Sequence, residues 1–267
     1  MFYKALFFII NIFPNLKKFC WKLWYNFISK RFRNDYFKFM NYGYFEENFK
    51  PFLQNQDEKE RYPIQLYHHL SEFTNLKGLK VLEVGSGRGG GASYIAKTFF
   101  PELIIGVDIS SNAIDLCNDS FKYDNLSFIQ GDSENLPFED NYFDVIINVE
   151  SSHCYPSIPN FINEVTRVLK SGGDFLYCDL LVADKLTNHL KLIQNNQLVI
   201  VKYNDITDNI IKASELMTND RNELIENVKS SLLKRILSAF ASVKGSKIYE
   251  SFVNRHYIYI TAHCKKN

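Results

Sequence analysis

The chain has almost no net charge, no paired cysteines and no low-complexity tract, and each absence removes a class of function. Lys and Arg number 31 against 30 Asp and Glu. Bulk electrostatics therefore supplies neither the basic field of a nucleic-acid binder nor the acidity of a solvating protein. The five cysteines, Cys20, Cys117, Cys154, Cys178 and Cys264, are scattered, and none stands in a Cys-x-x-Cys pair. That leaves neither a disulfide framework nor a structural zinc site. Such thiols fit a reducing, cytoplasmic compartment, where they act as small apolar core residues. No internal repeat is present, and 267 residues suffice for one domain with a sizeable core and added segments.

Acid is scarce at the N-terminus. From Met1 to Tyr44 the chain holds both tryptophans, and Lys4, Lys17, Lys18, Lys22, Lys30, Arg31, Arg33 and Lys38 face Asp35 alone. The stretch has no apolar run near the ~18–20 residues a spanning helix needs. Leu6, Ile9, Ile10, Phe13, Leu16, Cys20, Leu23, Trp24 and Phe27 instead fall at helical spacing. A basic, tryptophan-bearing helix with one apolar stripe predicts an interfacial membrane helix over residues 1–33, bent near Pro14, in a segment reaching about residue 40. Packing on its own domain or on a second subunit is the alternative. "ALFFIINIF" has the length of a signal peptide's apolar core, but "PNLKKFCW" contains no small-residue cleavage site, so a signal peptide is rejected.

Beyond Leu76 strands and helices alternate. "LKVLEVG", "LIIGVDI", "LSFIQGD", "FDVIINV" and "FLYCDLL" read as short apolar strands. Between them "GGGASYIAKTFF", "NAIDLCNDSF" and "IPNFINEVTRVLK" read as helices, the last stopped by "SGGD". Such alternation predicts a doubly wound α/β fold with a mostly parallel sheet, whose ligands bind at the carboxyl ends of the strands. After Val182 "ADKLTNHLKLI" reads as helix and "QLVIVKY" as strand. A helical region over about 208–243 then precedes the alternating strand "HYIYITAH". That insertion is a place for a lid or substrate-binding wall, or simply for packing.

"VLEVGSGRGGG" sets Gly85, Gly87, Gly89, Gly90 and Gly91 between a strand and a helix. Glycines let the backbone approach a ligand, and a helix N-terminus favours polar or anionic groups. The spacing also satisfies the dinucleotide fingerprint, so the acids around it decide. Glu83 lies inside the strand, where a carboxylate needs a partner. An amino group would supply one; a pyrophosphate would be repelled. Asp108 ends the second strand, where an acid can hold two ribose hydroxyls. Asp132 ends the third, placed to accept a hydrogen bond from an exocyclic amine. Capping a helix is the plainer role open to both aspartates. Together the acids and glycines describe a nucleoside with a positively charged tail, S-adenosyl-L-methionine. With Ser86 in the loop, and Ile109, Ser133 and Glu150 beside the next three strand ends, they make up the candidate cofactor-binding set.

These motifs, followed by "GDSENLPF", "FDVI" and "RVLKSGGDF", resemble the ordered motifs of class I SAM-dependent methyltransferases over about Val81 to Leu181. The resemblance implies a seven-stranded Rossmann-like domain over 41–267, with its cofactor-binding core at about 76–182. More narrowly, "VLEVGSGRGGGASYIAKTF", "VESSHCYPS", "FMNYGYF" and "YPIQLYHHL" are similar to phthiotriol/phenolphthiotriol dimycocerosate methyltransferases, which methylate a hydroxyl on long lipids. That similarity runs from about Tyr36 to Leu181 and has no counterpart for the basic N-terminus. On resemblance alone, Tyr42, Tyr44 and Tyr67 would cover the cofactor.

Methyl transfer from a sulfonium asks mainly for alignment and exclusion of water. A neutral hydroxyl acceptor also has to lose its proton, and a histidine can take it near neutral pH. His153, just past the fourth strand, is the candidate base, and Asp179, ending the fifth, is the candidate orienting acid. A loop histidine bonded to a carbonyl and a capping aspartate are the plainer readings. Cys154 reads as packing, His68 and His69 as surface or hinge residues, and no metal site is expected, since ligand spacing is missing. The expected function is O-methylation of a hydrophobic small molecule or lipid, peripheral to a membrane and without nucleic acid. Carbon or nitrogen methylation, a nicotinamide-dependent oxidoreductase and a non-catalytic methyltransferase-like module are its rivals.

Overall fold

The structure, a computed structural model, describes residues 14–33 and 37–267. Leu6, Ile9, Ile10 and Phe13, and with them the expected bend near Pro14, lie outside the described residues. Seven strands are present: β1 (Lys80–Val84), β2 (Leu103–Asp108), β3 (Leu126–Gln130), β4 (Phe143–Val149), β5 (Leu169–Val182), β6 (Leu198–Asp205) and β7 (Tyr257–Lys266). They form one sheet in the order β3-β2-β1-β4-β5-β7-β6. β1 to β5 pair parallel to their neighbours, and β7 runs antiparallel to both β5 and β6. This is the seven-stranded, mostly parallel Rossmann-like sheet that the motifs imply.

The helices are α1 (Pro14–Arg31), α2 (Arg61–Ser71), α3 (Gly90–Phe99), α4 (Ser111–Ser120), α5 (Ile158–Val168), α6 (Leu186–Gln194), α7 (Thr207–Leu216), α8 (Thr218–Glu226), α9 (Ser231–Phe240) and α10 (Lys247–Val253). Alternate residues of each inner strand feed opposite layers. Val145 and Ile147 join one core with Leu66, Leu70 and Ile95, while Ile146 joins the other with Phe161, Val165 and Phe175. A sheet covered on both faces explains why these strands read as continuous apolar runs.

Two local expectations are corrected. The helix over "IPNFINEVTRVLK" ends at Val168, and "SGGD" does not stop it. Leu169 already pairs with Phe143, so Lys170 to Gly173 form an irregularity inside β5, with Gly172 left-handed at φ 75°. And α10 was not foreseen, since its seven residues span too few turns to show a period. Its Tyr249 and Phe252 are buried.

α1 packs on its own domain. Ile28 and Phe32 are buried against Val228 and Leu233, and Trp21 meets Phe240 edge-on. The Asn26 side chain accepts hydrogen bonds from the Ser110 hydroxyl (2.8 Å) and the Asn112 amide (3.2 Å) at the start of α4. The helix therefore lies across the carboxyl ends of the strands, where ligands bind in this architecture. No helix among the described residues is long and apolar enough to cross a membrane.

Candidate active site

Strand order reverses beside β1, between β2 on one side and β4 on the other, and β1 runs there into the glycine loop. Gly85, Gly87 and Gly89 have φ of 78°, 52° and 78°, values an L side chain rarely adopts. A Cβ on Gly85 would collide with the hydroxyls of Ser151 and Tyr155, and one on Gly91 with the Tyr67 ring. The loop, Tyr67, Met40 and Glu150 line a narrow cleft of about 40 Å³, well below the ~300–1,000 Å³ usual for small-molecule sites.

Glu83 is fully buried behind the glycine loop, next to Gly91. Its Oε1 accepts a hydrogen bond from the Tyr67 hydroxyl at 2.6 Å, while Oε2 has no partner. Burial pushes its carboxyl up to about 8, against the hydrogen bonds from Tyr67 and the Ala92 amide. A buried orphan oxygen behind the glycine loop suits an ammonium group and disfavours a pyrophosphate. Asp108 is held from both sides: Oδ2 accepts from the Gly87 amide (3.0 Å) and Oδ1 from the Ser110 amide (2.8 Å). It does not cap α4, whose N-cap is Ser110. Ile109 follows it between β2 and α4. Asp132 bridges to Asn135 and receives the Glu134 amide at 3.0 Å. Its other oxygen lies 2.6 Å from the Lys18 ammonium of α1, which also reaches Glu134 at 3.0 Å. Ser133 lies between these two acids.

"VESSHCYPS" resolves into separate tasks. Glu150 sits in a left-handed conformation, φ 47°, a strain of ~1–3 kcal/mol that its surroundings must hold. Its Oε2 accepts hydrogen bonds from the Tyr259 hydroxyl (2.6 Å) and the Tyr42 amide (2.8 Å). Burial pushes this carboxyl up to about 7. Ser151 accepts from the Asn148 side-chain amide (2.7 Å) and pairs with the Tyr155 hydroxyl (3.0 Å), bracing the start of the glycine loop. Ser152 donates to Asp179 Oδ2 at 2.6 Å and meets the Tyr177 hydroxyl at 2.9 Å.

His153 Nδ1 lies 2.7 Å from Asp179 Oδ1, and its amide donates to Oδ2 at 3.1 Å. Asp179 is fully buried, while the His153 side chain keeps 31 % of its surface open. Burial works against a charged imidazole, but neighbouring Cys154 and the Asp179 carboxylate outweigh it and hold His153 well above its usual value. Burial likewise opposes ionised Asp179, yet His153, Ser152 and the Leu180 amide keep its carboxyl below the usual range.

The structure thus brings Gly85, Ser86, Gly87 and Glu150 to one cleft, with Asp108 and Glu83 directly behind it at Gly87 and Gly91. His153 follows β4, but Asp179 does not end the fifth strand: β5 runs on to Val182, and Asp179 pairs with Ile260 inside it. Gly89 serves as the left-handed N-cap of α3. Tyr44 is placed elsewhere: it donates to Glu46 at 2.6 Å, stacks on His69 at 4.4 Å and does not line the cleft. His68 and His69 are half-buried in this aromatic cluster, not set on the surface, and burial drops His69 to about 4. Cys154 is buried, with its sulfur 3.5 Å from the Tyr25 hydroxyl of α1. Tyr25 and Tyr259 escaped the reading of the sequence, because nothing near them in the chain marks them as neighbours of Glu150 or Cys154. Among the described residues no group of three His, Cys, Asp or Glu is arranged to hold a metal.

Comparison with known proteins agrees with this geometry. Residues 82–177 match the family model described as "Methyltransferase domain". The fatty-acid O-methyltransferase of Mycolicibacterium smegmatis is 38% identical over 216 residues, covering 80% of this chain and 78% of that protein. The phthiotriol/phenolphthiotriol dimycocerosates methyltransferase of Mycobacterium leprae is 33% identical over 229 residues, covering 85% of each. Among solved structures, the [4+2]-cyclase SpnF superposes with a TM-score of 0.71 at 18% identity, over 92% of this chain and 94% of that one. Geranyl diphosphate methyltransferase with GPP and sinefungin superposes at 0.67 and 18% identity, over 94% and 99%. At such identities these two speak for the fold alone.

Proposed function

The chain belongs to the class I SAM-dependent methyltransferases, and we propose that it methylates a hydroxyl oxygen of a hydrophobic, lipid-like acceptor with His153 as general base. The observation that carries this reading is the His153–Asp179 pair at 2.7 Å, with the imidazole partly open to solvent. S-adenosyl-L-methionine, the cofactor, supplies an electrophilic methyl group when bound. Glu83 Oε2 would take its ammonium, Asp108 its ribose hydroxyls, and Asp132 its adenine amine. His153 Nε2 would receive the acceptor's proton while Nδ1 donates to Asp179, which offsets the imidazolium charge. The lipid-like acceptor agrees with the names of the two curated relatives. A peripheral membrane contact through residues 1–33 belongs to the same reading.

A second reading has its own support. With His153 held above its ordinary value, the imidazolium would bind a carboxylate acceptor, which needs no base. A carbon or nitrogen acceptor is a more distant alternative within the family. The profile of kcat/KM against pH separates the first two. A hydroxyl acceptor requires neutral His153, so the rate rises with pH until it passes the raised value of the imidazole. A carboxylate acceptor requires the cation, so the rate falls over that range. A falling profile with product one methyl heavier would sink the base assignment and favour the carboxylate.

Cofactor binding carries a pH signature of its own. In the free cleft the Glu83 carboxyl titrates near 8, and an ammonium at Oε2 favours the ionised form. Binding below that value therefore has to expel a proton. Affinity should be greatest above it and fall about tenfold per pH unit below it. Calorimetry in buffers of different ionisation enthalpy would register the released proton. The Glu83→Gln variant should bind weakly with a flattened profile, and an unchanged slope in it would clear Glu83 of this role.

A further inference from the structure

α1 has two apolar faces, and the domain uses only one. Trp21, Tyr25, Ile28 and Phe32 turn toward the domain. Leu16, Phe19, Leu23 and Phe27 remain 37%, 57%, 53% and 48% exposed. At 3.6 residues per turn these four fall within an arc of about 80°, a continuous stripe down the outer side. Phe240 of α9, touching Trp21 and Trp24, adds another ring that is 46% exposed. A contiguous apolar patch of this kind on a folded domain marks an interaction site.

Charge narrows what it meets. α1 contains no acidic residue. Lys17 and Lys18 are committed inward, donating to the Tyr155 carbonyl (2.7 Å) and to Asp132 (2.6 Å). Lys30 and Arg31 are exposed at the C-terminal end of the stripe, and Lys22 flanks it. A second copy of this helix would bring lysines against lysines whichever way it lay. An apolar stripe on a helix whose charged residues are all cations, with Trp24 beside it, suits a surface that is oily and negative.

We infer that the outer face of α1 docks on the interface of an anionic lipid bilayer, with Leu16, Phe19, Leu23 and Phe27 entering the acyl boundary and Lys30 and Arg31 meeting the headgroups. This deepens the membrane contact of the proposed function and rests on it only for its purpose, the supply of a lipid-like acceptor. The same helix meets the candidate site residues through Lys18 at Asp132 and Tyr25 at Cys154, so docking sets that end of the sheet against the membrane.

Cosedimentation of the full chain with phosphatidylglycerol vesicles and with phosphatidylcholine vesicles tests it. Deleting residues 1–33 would also remove the contacts of Lys18 with Asp132 and of Tyr25 with Cys154, so changes on the outer face are the cleaner probe. The wild type should partition onto phosphatidylglycerol and far less onto phosphatidylcholine. Lys30→Gln with Arg31→Gln should weaken phosphatidylglycerol binding roughly fivefold per charge removed, and Phe19→Ser with Leu23→Ser should abolish it. Both variants should bind SAM as the wild type does, which separates failure of this docking from failure of the methyltransferase assignment. The idea is overturned if the wild type ignores both vesicles or if the Phe19/Leu23 variant still binds. A wild-type dimer in light scattering that this variant converts to monomer would overturn it too, because a second copy would then own the face.

Discussion

His153→Ala is expected to lower turnover by ~10²–10⁴-fold, the range general bases contribute, with SAM affinity unchanged. The separation follows from placement. His153 is not among the residues lining the glycine-loop cleft, and its side-chain partners, Asp179 and Cys154, lie inside β5 and past the end of β4. Single-turnover rates with saturating cofactor, paired with calorimetric SAM binding, measure the two quantities independently. Equal turnover would retire the base assignment. Asp179→Asn makes a sharper companion, because it keeps the shape and removes the charge that holds the imidazole. It should lower the pH at which His153 titrates as well as slowing the reaction, a shift that a merely structural aspartate would not produce. Loss of Asp179 is also expected to cost stability, since Ser152, the Leu180 amide and the His153 amide would lose a buried acceptor.

Asp108→Ala is expected to weaken SAM binding by at least ~10²-fold, since each hydrogen bond to a charged group contributes ~1.5–3 kcal/mol and a ribose would offer two hydroxyls. The variant loses a second thing as well. The carboxylate ties the Gly87 amide to the Ser110 amide, so the loop that should cradle the cofactor loosens with it. Asp108→Asn separates the contributions: its one carbonyl oxygen can keep part of the tie but not the charge. Calorimetry should place it between the wild type and alanine, while both variants melt within a few degrees of the wild type. Unchanged affinity in Asp108→Ala would remove the ribose assignment.

Much of this site could be read from the chain because it is built from strand ends. Glu83, Asp108 and Asp132 each stand in or just after a short apolar run, and a parallel sheet brings such positions to one edge whatever fills the helices. The partners that decide their chemistry were not legible. Tyr259 reaches Glu150 from a strand 109 positions away. Tyr67 meets Glu83 from α2, and only resemblance had pointed to it. Tyr44 and His69 were misjudged together, because the segment that folds over α2 and buries both has no periodicity of its own. The N-terminal helix was read as one apolar stripe with a choice between membrane and protein. The structure shows two such faces at opposite sides, which a single periodicity cannot distinguish from one broad face.

The antiparallel placement of β7 has a consequence for how the molecule comes together. β7 is the last strand in sequence, yet it is inserted between β5 and β6, pairing with both from Tyr257 to Lys266. During synthesis the glycine loop and its acids can be arranged while β6 has nothing to pair with. Only when β7 threads into place does the edge of β5 close and Tyr259 arrive beneath Glu150. The hydrogen bond that holds Glu150 is the last to form, and a chain stalled short of β7 would leave the edges of β5 and β6 open to wrong partners.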